Sequence, residues 1–329
     1  MRLIQLQGPE GRRVGIAQDA AIRLLGEVES IYALALSALD SGIGLAKAAA
    51  DRAAGEVLDY DEIYAGAGPW RVLPAIDHPV ESSRCQISGT GLSHLRSAAN
   101  RDAMHAAGTV TDSMRMYQWG VEGGRPAAGT PGVSPEWFYK GTGGNLRAHN
   151  QPLDVPPFAE DGGEEPEIAG VYIIDAQGAP RRIGMAAGNE FSDHLFEKRN
   201  YLYLASSKLR NCALGPELAI DPDFSLVHGE VAIERGGETI WRKTIQSGES
   251  ALCHSLANME HHHFKFEAHR RPGDLHVHFF GADAFSFGEG IRLAGGDVMQ
   301  VRWDGFGRPL RNTLRVAAGK DELVAVRAV

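Results

Sequence analysis

Forty glycines and sixteen prolines cut this chain of 329 residues into short runs, and many of those runs alternate apolar and polar residues. Glycine weakens a helix interior and proline removes a backbone donor, so a bundle of long helices is excluded. A β-rich fold with many turns, and with backbone lining its sites, accommodates both. Strand-like runs lie at 168–174, 181–186, 225–233, 238–244, 275–280, 298–303 and 313–317, separated by Gly, Pro and Asp turns. Residues 2–7, 13–17 and 21–25 read as a small antiparallel meander, and the alanine-rich stretches 30–39 and 43–54 as helices. A linker-like stretch, 64–74, places a boundary near Leu73, dividing a small N-terminal α/β domain (1–73) from a large β domain (74–329). Two further helices are expected at 96–107 and 191–204. The fold class is α+β, dominated by an antiparallel barrel, roll or sandwich; there is no strand–helix alternation of the dinucleotide-binding type.

The net charge of −9, from 33 Lys+Arg against 42 Asp+Glu, argues against DNA or RNA as a partner. The longest apolar stretch, near 31–39, is too short to span a bilayer, so no membrane partner is expected. Cys85, Cys212 and Cys253 are odd in number and widely spaced. They support neither a disulfide framework nor a zinc ribbon, and a reducing cytoplasm is expected.

The segment 164–190 is the most informative. Glu165 and Glu167 stand two apart at the entry to an apolar strand, and strand period puts both on one face. A turn at 176–180 returns the chain as a hairpin, bringing Glu190 back towards them. Three converging carboxylates repel one another unless a cation lies between them, and all-oxygen ligation suits Mg²⁺, Mn²⁺ or Ca²⁺ better than Zn²⁺. The plainer alternative is that 164–167 is a solvated acidic loop.

The order of motifs resembles the fumarylacetoacetate hydrolase superfamily over about residues 75–318. Glu165-Pro166-Glu167 matches its E-x-E, and Gly188-Asn189-Glu190-Phe191-Ser192 its G-x-D-x-[ST]. Ser207-Lys208-Leu209, Gly215-Pro216 and Phe138-Tyr139-Lys140 match its lysine, G-P and F-x-K segments. Leu293–Val298 and Gly305–Asn312 resemble its L-x-x-G-D and G-x-G-x-L-x-N elements. The resemblance implies a mixed β-roll, commonly a homodimer, with Glu165, Glu167 and Glu190 holding a divalent cation, Mg²⁺ foremost. It implies Lys208 as the active-site lysine and His94 as a second acid/base. Lys140, Thr142, Ser192, His194, Gly281 and Ala282 are expected to face the substrate, with Lys140 otherwise a surface lysine.

The chain also departs from the pattern. The third ligand is Glu190 rather than Asp, and His194 replaces an Arg. In the stretch matching the hydrolases' G-L-N-Y-x-x-H-x-x-E, Ser97 and Asn100 stand at the His and Glu positions that activate water. Neither is a general base at neutral pH. Without that dyad, a metal-polarised 2-oxo acid can still lose its C3 proton and expel a C4 hydroxyl, with Lys208, its pKa lowered towards working pH, as proton carrier. The resemblance to the superfamily's sugar-acid branch, carried by 276–290, implies dehydration of a small anionic 2-oxo acid. An example is 2-keto-3-deoxy-L-arabinonate, giving 2,5-dioxopentanoate. The alternatives are hydrolysis of an acylpyruvate or 2,4-diketo acid, with His94 or His105 as base, and a non-catalytic sugar-acid binding protein. Glu260-His261-His262-His263 reads as packing, because three consecutive histidines cannot face one ion on regular structure. His276 and His278 share a strand face as either a ligand pair or satisfied core histidines.

Overall fold

The computed structural model describes residues 1–96 and 111–329. The expected helix at 96–107 and the positions Ser97, Asn100 and His105 therefore lie outside the described residues, apart from Arg96. Two sheets organise the remainder. The larger runs Val57–Asp59, Ala21–Leu24, Gly11–Ala17, Arg2–Gly8, Glu217–Ala219, Pro180–Asn189, Pro166–Ile174, Leu275–Phe279, Cys85–Gly91, Glu136–Thr142. The smaller runs Glu238–Ser247, Val227–Arg235, Val298–Trp303, Leu310–Val316, Leu153–Val155. Most pairings are antiparallel, but Leu275–Phe279 lies parallel to Cys85–Gly91. The result is the expected mixed, sheet-dominated fold.

The N-terminal meander forms as its alternation dictates, and its helix Ile31–Asp40 is capped by Ser30, whose hydroxyl accepts from Ala33 N. Leu73 marks no break in sheet or core. Arg2–Gly8 pairs with Glu217–Ala219, and Leu3, Val14 and Ile31 share one buried cluster with Val171, Ile173 and Val277. A second core, with Ile168, Met185, Val231, Met299 and Trp303, fills the space between the sheets.

The central hairpin positions the site. Asp175 sets its turn: Oδ1 accepts from Gln177 N (3.0 Å) and Ala179 N (2.8 Å), and Gly178 takes the left-handed conformation (φ 78°). From there the strands pair back to Glu167↔Gly188 and Pro166↔Asn189, and the ladder continues with Glu190 N donating to Glu165 O (2.9 Å). Proline is tolerated at Pro166 because it is the strand's first residue.

The expected helix at 191–204 is interrupted. It forms as His194–Arg199, a 3₁₀ turn at Tyr201–Tyr203 and Leu204–Lys208, with Asn200 extended between them (φ −159°, ψ 124°). Asp193 caps its first turn, accepting from Phe196 N (2.9 Å). A helix that patterning did not anticipate, Asp112–Gly123, begins at Thr111, whose hydroxyl accepts from Met114 N.

Candidate metal centre

The hairpin brings Glu165, Glu167 and Glu190 together, with one oxygen of each within 4.8 Å of the others, all three buried. Two ends of the hairpin are locked by Asn189, whose Oδ1 accepts from both Glu165 N and Phe191 N at 3.2 Å. From the second sheet, Trp303 Nε1 donates to Glu167 O (2.9 Å).

The charges around the cluster are unevenly shared. Lys208 Nζ lies 2.5 Å from Glu165 Oε1 and 2.6 Å from Glu190 Oε2, with its ammonium 4.9 Å from the centre of the Phe138 ring. Lys140 Nζ pairs with Glu190 Oε1 and donates to the carbonyls of Phe191 and Lys208, both at 2.8 Å. Ser192 Oγ is 3.1 Å from both oxygens of Glu190, and His194 Nε2 is 3.1 Å from Glu165 Oε1. Glu167 accepts from Gly281 N (2.7 Å) and is paired with neither lysine.

Titration follows this asymmetry. Burial pushes Glu165 up, but Lys208 and His194 outweigh it and hold the carboxyl well below its usual range. Burial, then Glu190 and Glu165, push Glu167 well above it. Burial and Glu165 carry Glu190 up to about 7 against the pull of Lys140 and Lys208. Burial alone would lower Lys208, but Glu165 and Glu190 raise it well above an ordinary lysine. The expectation of a lowered Lys208 is therefore reversed: two carboxylates in contact outweigh desolvation.

The donor set fits a hard divalent cation. Glu165, Glu167 and Glu190 each offer a carboxylate oxygen to one buried point, and all-oxygen ligation of this kind would suit Mg²⁺, Mn²⁺ or Ca²⁺. Burial and the neighbouring carboxylates oppose ionisation of Glu167, and a bound cation would relieve that opposition.

A narrow cavity of about 20 Å³ opens on the cluster, lined by Glu165, Glu167, Lys208, His94, Gly281 and Ala282, and also by Glu136, Phe138 and Phe285. Glu136 was not anticipated. It precedes Phe138 and Lys140 by two and four residues on one strand, so all three share a face, and all three are buried. That periodicity was its one available signal. Gly91 makes room for it, since a Cβ there would come within 1.7 Å of Glu136 Oε1.

Other expected contacts are placed differently. Lys140 is fully buried, neither a surface lysine nor open to a substrate, because Glu190 and two carbonyls surround its Nζ. Thr142 lies in a separate cleft of about 410 Å³ with Tyr139, Phe158 and Arg210. Ser192 and His194 touch the carboxylates from behind, and His194 stacks on Phe285 and Phe287 at 4.8 and 5.1 Å. His94 lines the cavity, but its Nε2 faces Gln246 O (2.9 Å) and its Nδ1 accepts from Arg96 N (3.1 Å). Burial lowers its pKa against the pull of Asp283. The paired histidines His276 and His278 bond to core groups instead: His278 to Ser88 (2.8 Å) and Thr90 (2.7 Å), His276 to His263 (3.0 Å).

No family model matches the chain, and no curated protein sequence does. Solved structures do. 2-Keto-3-deoxy-D-arabinonate dehydratase in its apo form has a TM-score of 0.71 at 19% identity, over 97% of this chain and 100% of the other. The chain has the fumarylacetoacetate hydrolase fold. 2-Keto-3-deoxy-D-arabinonate dehydratase complexed with magnesium and 2,5-dioxopentanoate gives 0.69 at 18% identity, over 97% and 100%. A 5-carboxymethyl-2-hydroxymuconate delta-isomerase from Mycobacterium smegmatis gives 0.58 at 16%, over 96% and 100%. Among the described residues no helix is long and apolar enough to cross a membrane.

Proposed function

We propose that the chain is a metal-dependent hydro-lyase that dehydrates a 2-keto-3-deoxy sugar acid such as 2-keto-3-deoxy-arabinonate to 2,5-dioxopentanoate. The observation that carries this reading is the cluster of three buried carboxylates, two of which, Glu165 and Glu167, share one cavity with Lys208 and Glu136. Similarity in fold to a dehydratase solved with magnesium and 2,5-dioxopentanoate supports it. Glu165, Glu167 and Glu190 would hold the ion. When bound, a divalent cation polarises the 2-oxo group and acidifies the neighbouring C3–H.

The chain's own residues supply the proton transfers. Lys208 lines the cavity and is the candidate donor from Nζ to the departing C4 hydroxyl; a cation bound to Glu165 and Glu190 would relax the hold that raises its pKa. Glu136, which lines the same cavity, is the candidate acceptor of the C3 proton. Loss of the C4 hydroxyl as water leaves a C3=C4 enone with a C5 hydroxyl, and a proton shift from C5 to C3 followed by ketonisation of the resulting C4=C5 enol gives the C5 aldehyde. Gly281 and Ala282 would face the substrate on the remaining side. The substrate is a small anion attracted by Lys208 within a chain of net charge −9. A cytoplasmic homodimer, which the sequence resemblance implies, is the proposed form.

Hydrolysis would need a water-activating base, and His94 already has both ring nitrogens engaged. The deciding experiment incubates the protein with Mg²⁺ and 2-keto-3-deoxy-arabinonate and traps product with an NAD(P)-dependent semialdehyde dehydrogenase. Aldehyde formation is expected. Pyruvate plus a second fragment would establish C–C cleavage instead, and substrate-induced stabilisation with no turnover would establish a binding protein.

A further inference from the structure

Glu164 stands beside the metal-binding glutamates yet belongs to neither the cluster nor the cavity wall. It is fully buried, and both its oxygens engage one residue: Ser286 N donates to Oε1 (2.6 Å) and Ser286 Oγ to Oε2 (2.9 Å). Burying a carboxylate is costly unless its lone pairs are met, and here a single facing residue meets both oxygens.

Ser286 lies in the segment 281–290, which follows the strand Leu275–Phe279 and is bracketed by the left-handed glycines Gly281 (φ 110°) and Gly290 (φ 80°). On its outer side the segment is tied to the strand Glu238–Ser247. Gln246 N donates to Asp283 and Trp241 Nε1 to Glu289, both at 2.8 Å. On its inner side Gly281 N meets Glu167, and Phe285 and Phe287 pack against His194, which touches Glu165. Phe285 also lines the cavity, whose volume of about 20 Å³ admits about one water and no sugar acid. Substrate entry therefore requires the wall formed by Gly281, Ala282 and Phe285, or the wall facing it, to shift and then reseat.

We propose that Glu164 is a positioning residue whose clasp on Ser286 seats the segment 281–290 over the bound substrate, fixing it to the strand entry that carries Glu165 and Glu167. The claim on substrate rests on the site reading above. The clasp itself is a separate, structural statement.

The test uses the full-length protein and three variants, Glu164→Ala, Glu164→Gln and Ser286→Ala. It combines amide hydrogen exchange, Mn²⁺ titration and steady-state kinetics with 2-keto-3-deoxy-arabinonate. In Glu164→Ala and Ser286→Ala the amides of 281–290 are expected to exchange about tenfold faster. KM should rise about tenfold with kcat changed by less than about threefold, because a seating interaction contributes alike to bound substrate and transition state. Mn²⁺ affinity should stay within about threefold of wild type, since the three ligands are untouched. Glu164→Gln, which can still accept from Ser286 N, should recover most of the KM and most of the exchange protection. Wild-type exchange at 281–290 in both truncated variants overturns the proposal. So does a loss of Mn²⁺ affinity in Glu164→Ala matching the loss of substrate affinity, which would make Glu164 part of the ion's own site. If Glu164→Ala fails to fold, Ser286→Ala decides. A wild-type protein that neither binds Mn²⁺ nor turns over sinks the site reading, while the exchange data still judge the clasp.

Discussion

Lys140 and Lys208 both contact Glu190 but differ in what else they hold. Lys140 has no exposure, and its three donors go to Glu190 and two carbonyls, so it fixes a ligand in place. Replacing it by Met leaves Glu190 buried with one partner fewer, and a loss of about 3–5 kcal/mol is expected in urea unfolding at pH 7. Lys208 faces the cavity, and Lys208→Ala should reduce turnover by about 10²–10⁴-fold while Mn²⁺ still binds. Turnover within threefold of wild type would remove Lys208 from the chemistry. Strand period and turn placement brought Glu165, Glu167 and Glu190 together in the sequence but left a solvated acidic loop open; it was the motif order of the resemblance that marked the three, and Lys208, as site residues. Glu136 and Glu164 were not so marked. Glu136 announces itself only once Phe138 and Lys140 are known to face inward. Glu164 sits in an acidic run that reads equally as a solvated loop, and its partner Ser286 is 122 residues away.

At the scale of elements, the central hairpin was legible because a period-2 pattern and an Asp/Gly turn agree. The helix at 191–204 was not fully so. Its composition favours helix throughout, yet Asn200 caps the following 3₁₀ turn through its side chain and breaks the run, which places Lys208 at the end of a separate short helix. The boundary near Leu73 reads from a composition change, but sheet pairing over more than 200 residues of separation is invisible to composition. The strand Leu275–Phe279 yields a pH prediction. His276 and His278 are buried, and burial first, then neighbouring histidines, lowers each pKa to about 3. The folded pKa lies below the unfolded value of about 6.5, so their contribution is complete above pH 6.5 and is lost as pH falls towards 3. Each histidine then costs about 1.4 kcal/mol per pH unit. The metal-free carboxylates Glu167 and Glu190, with raised pKa values, act with the opposite sign. The measurement is therefore a difference: with saturating Mg²⁺, the stability slope between pH 6 and 4.5 should be flatter in His278→Gln than in wild type by about 1.4 kcal/mol per pH unit. Equal slopes would mean that His278 is not held neutral.

For the molecule as a whole, the cluster lies where the two sheets meet, with Trp303 of the smaller sheet bonded to the backbone of Glu167. The repulsion stored there is consequently set against the stability of the entire fold. Above pH 6.5 the buried histidines are neutral in both folded and unfolded states and drop out. Glu190, raised to about 7, and Glu167, raised well above its usual range, then dominate. Their folded pKa values exceed the unfolded value, so the metal-free protein should lose stability as pH rises from 6.5 to 8. A bound divalent cation removes that loss, because the ionised carboxylates become its ligands. Mg²⁺ at about 100 times its Kd contributes about 2.7 kcal/mol by mass action. For a chain of 329 residues the unfolding entropy is about 0.7 kcal/mol per degree, so the midpoint should rise by about 4 °C and return on chelation. Glu167→Gln separates the two effects. It removes the carboxylate paired with neither lysine while keeping an acceptor for Gly281 N, so the metal-free variant should melt higher than metal-free wild type at pH 8. The same variant should show no Mg²⁺-dependent shift. A higher metal-free midpoint together with loss of the Mg²⁺-dependent shift is expected only if the cluster is a cation site whose metal-free form is electrostatically strained. If Glu167→Gln melts lower than metal-free wild type at pH 8, ionised Glu167 is not a source of strain in the metal-free fold, and if the variant also keeps the Mg²⁺-dependent shift, Glu167 is not a ligand.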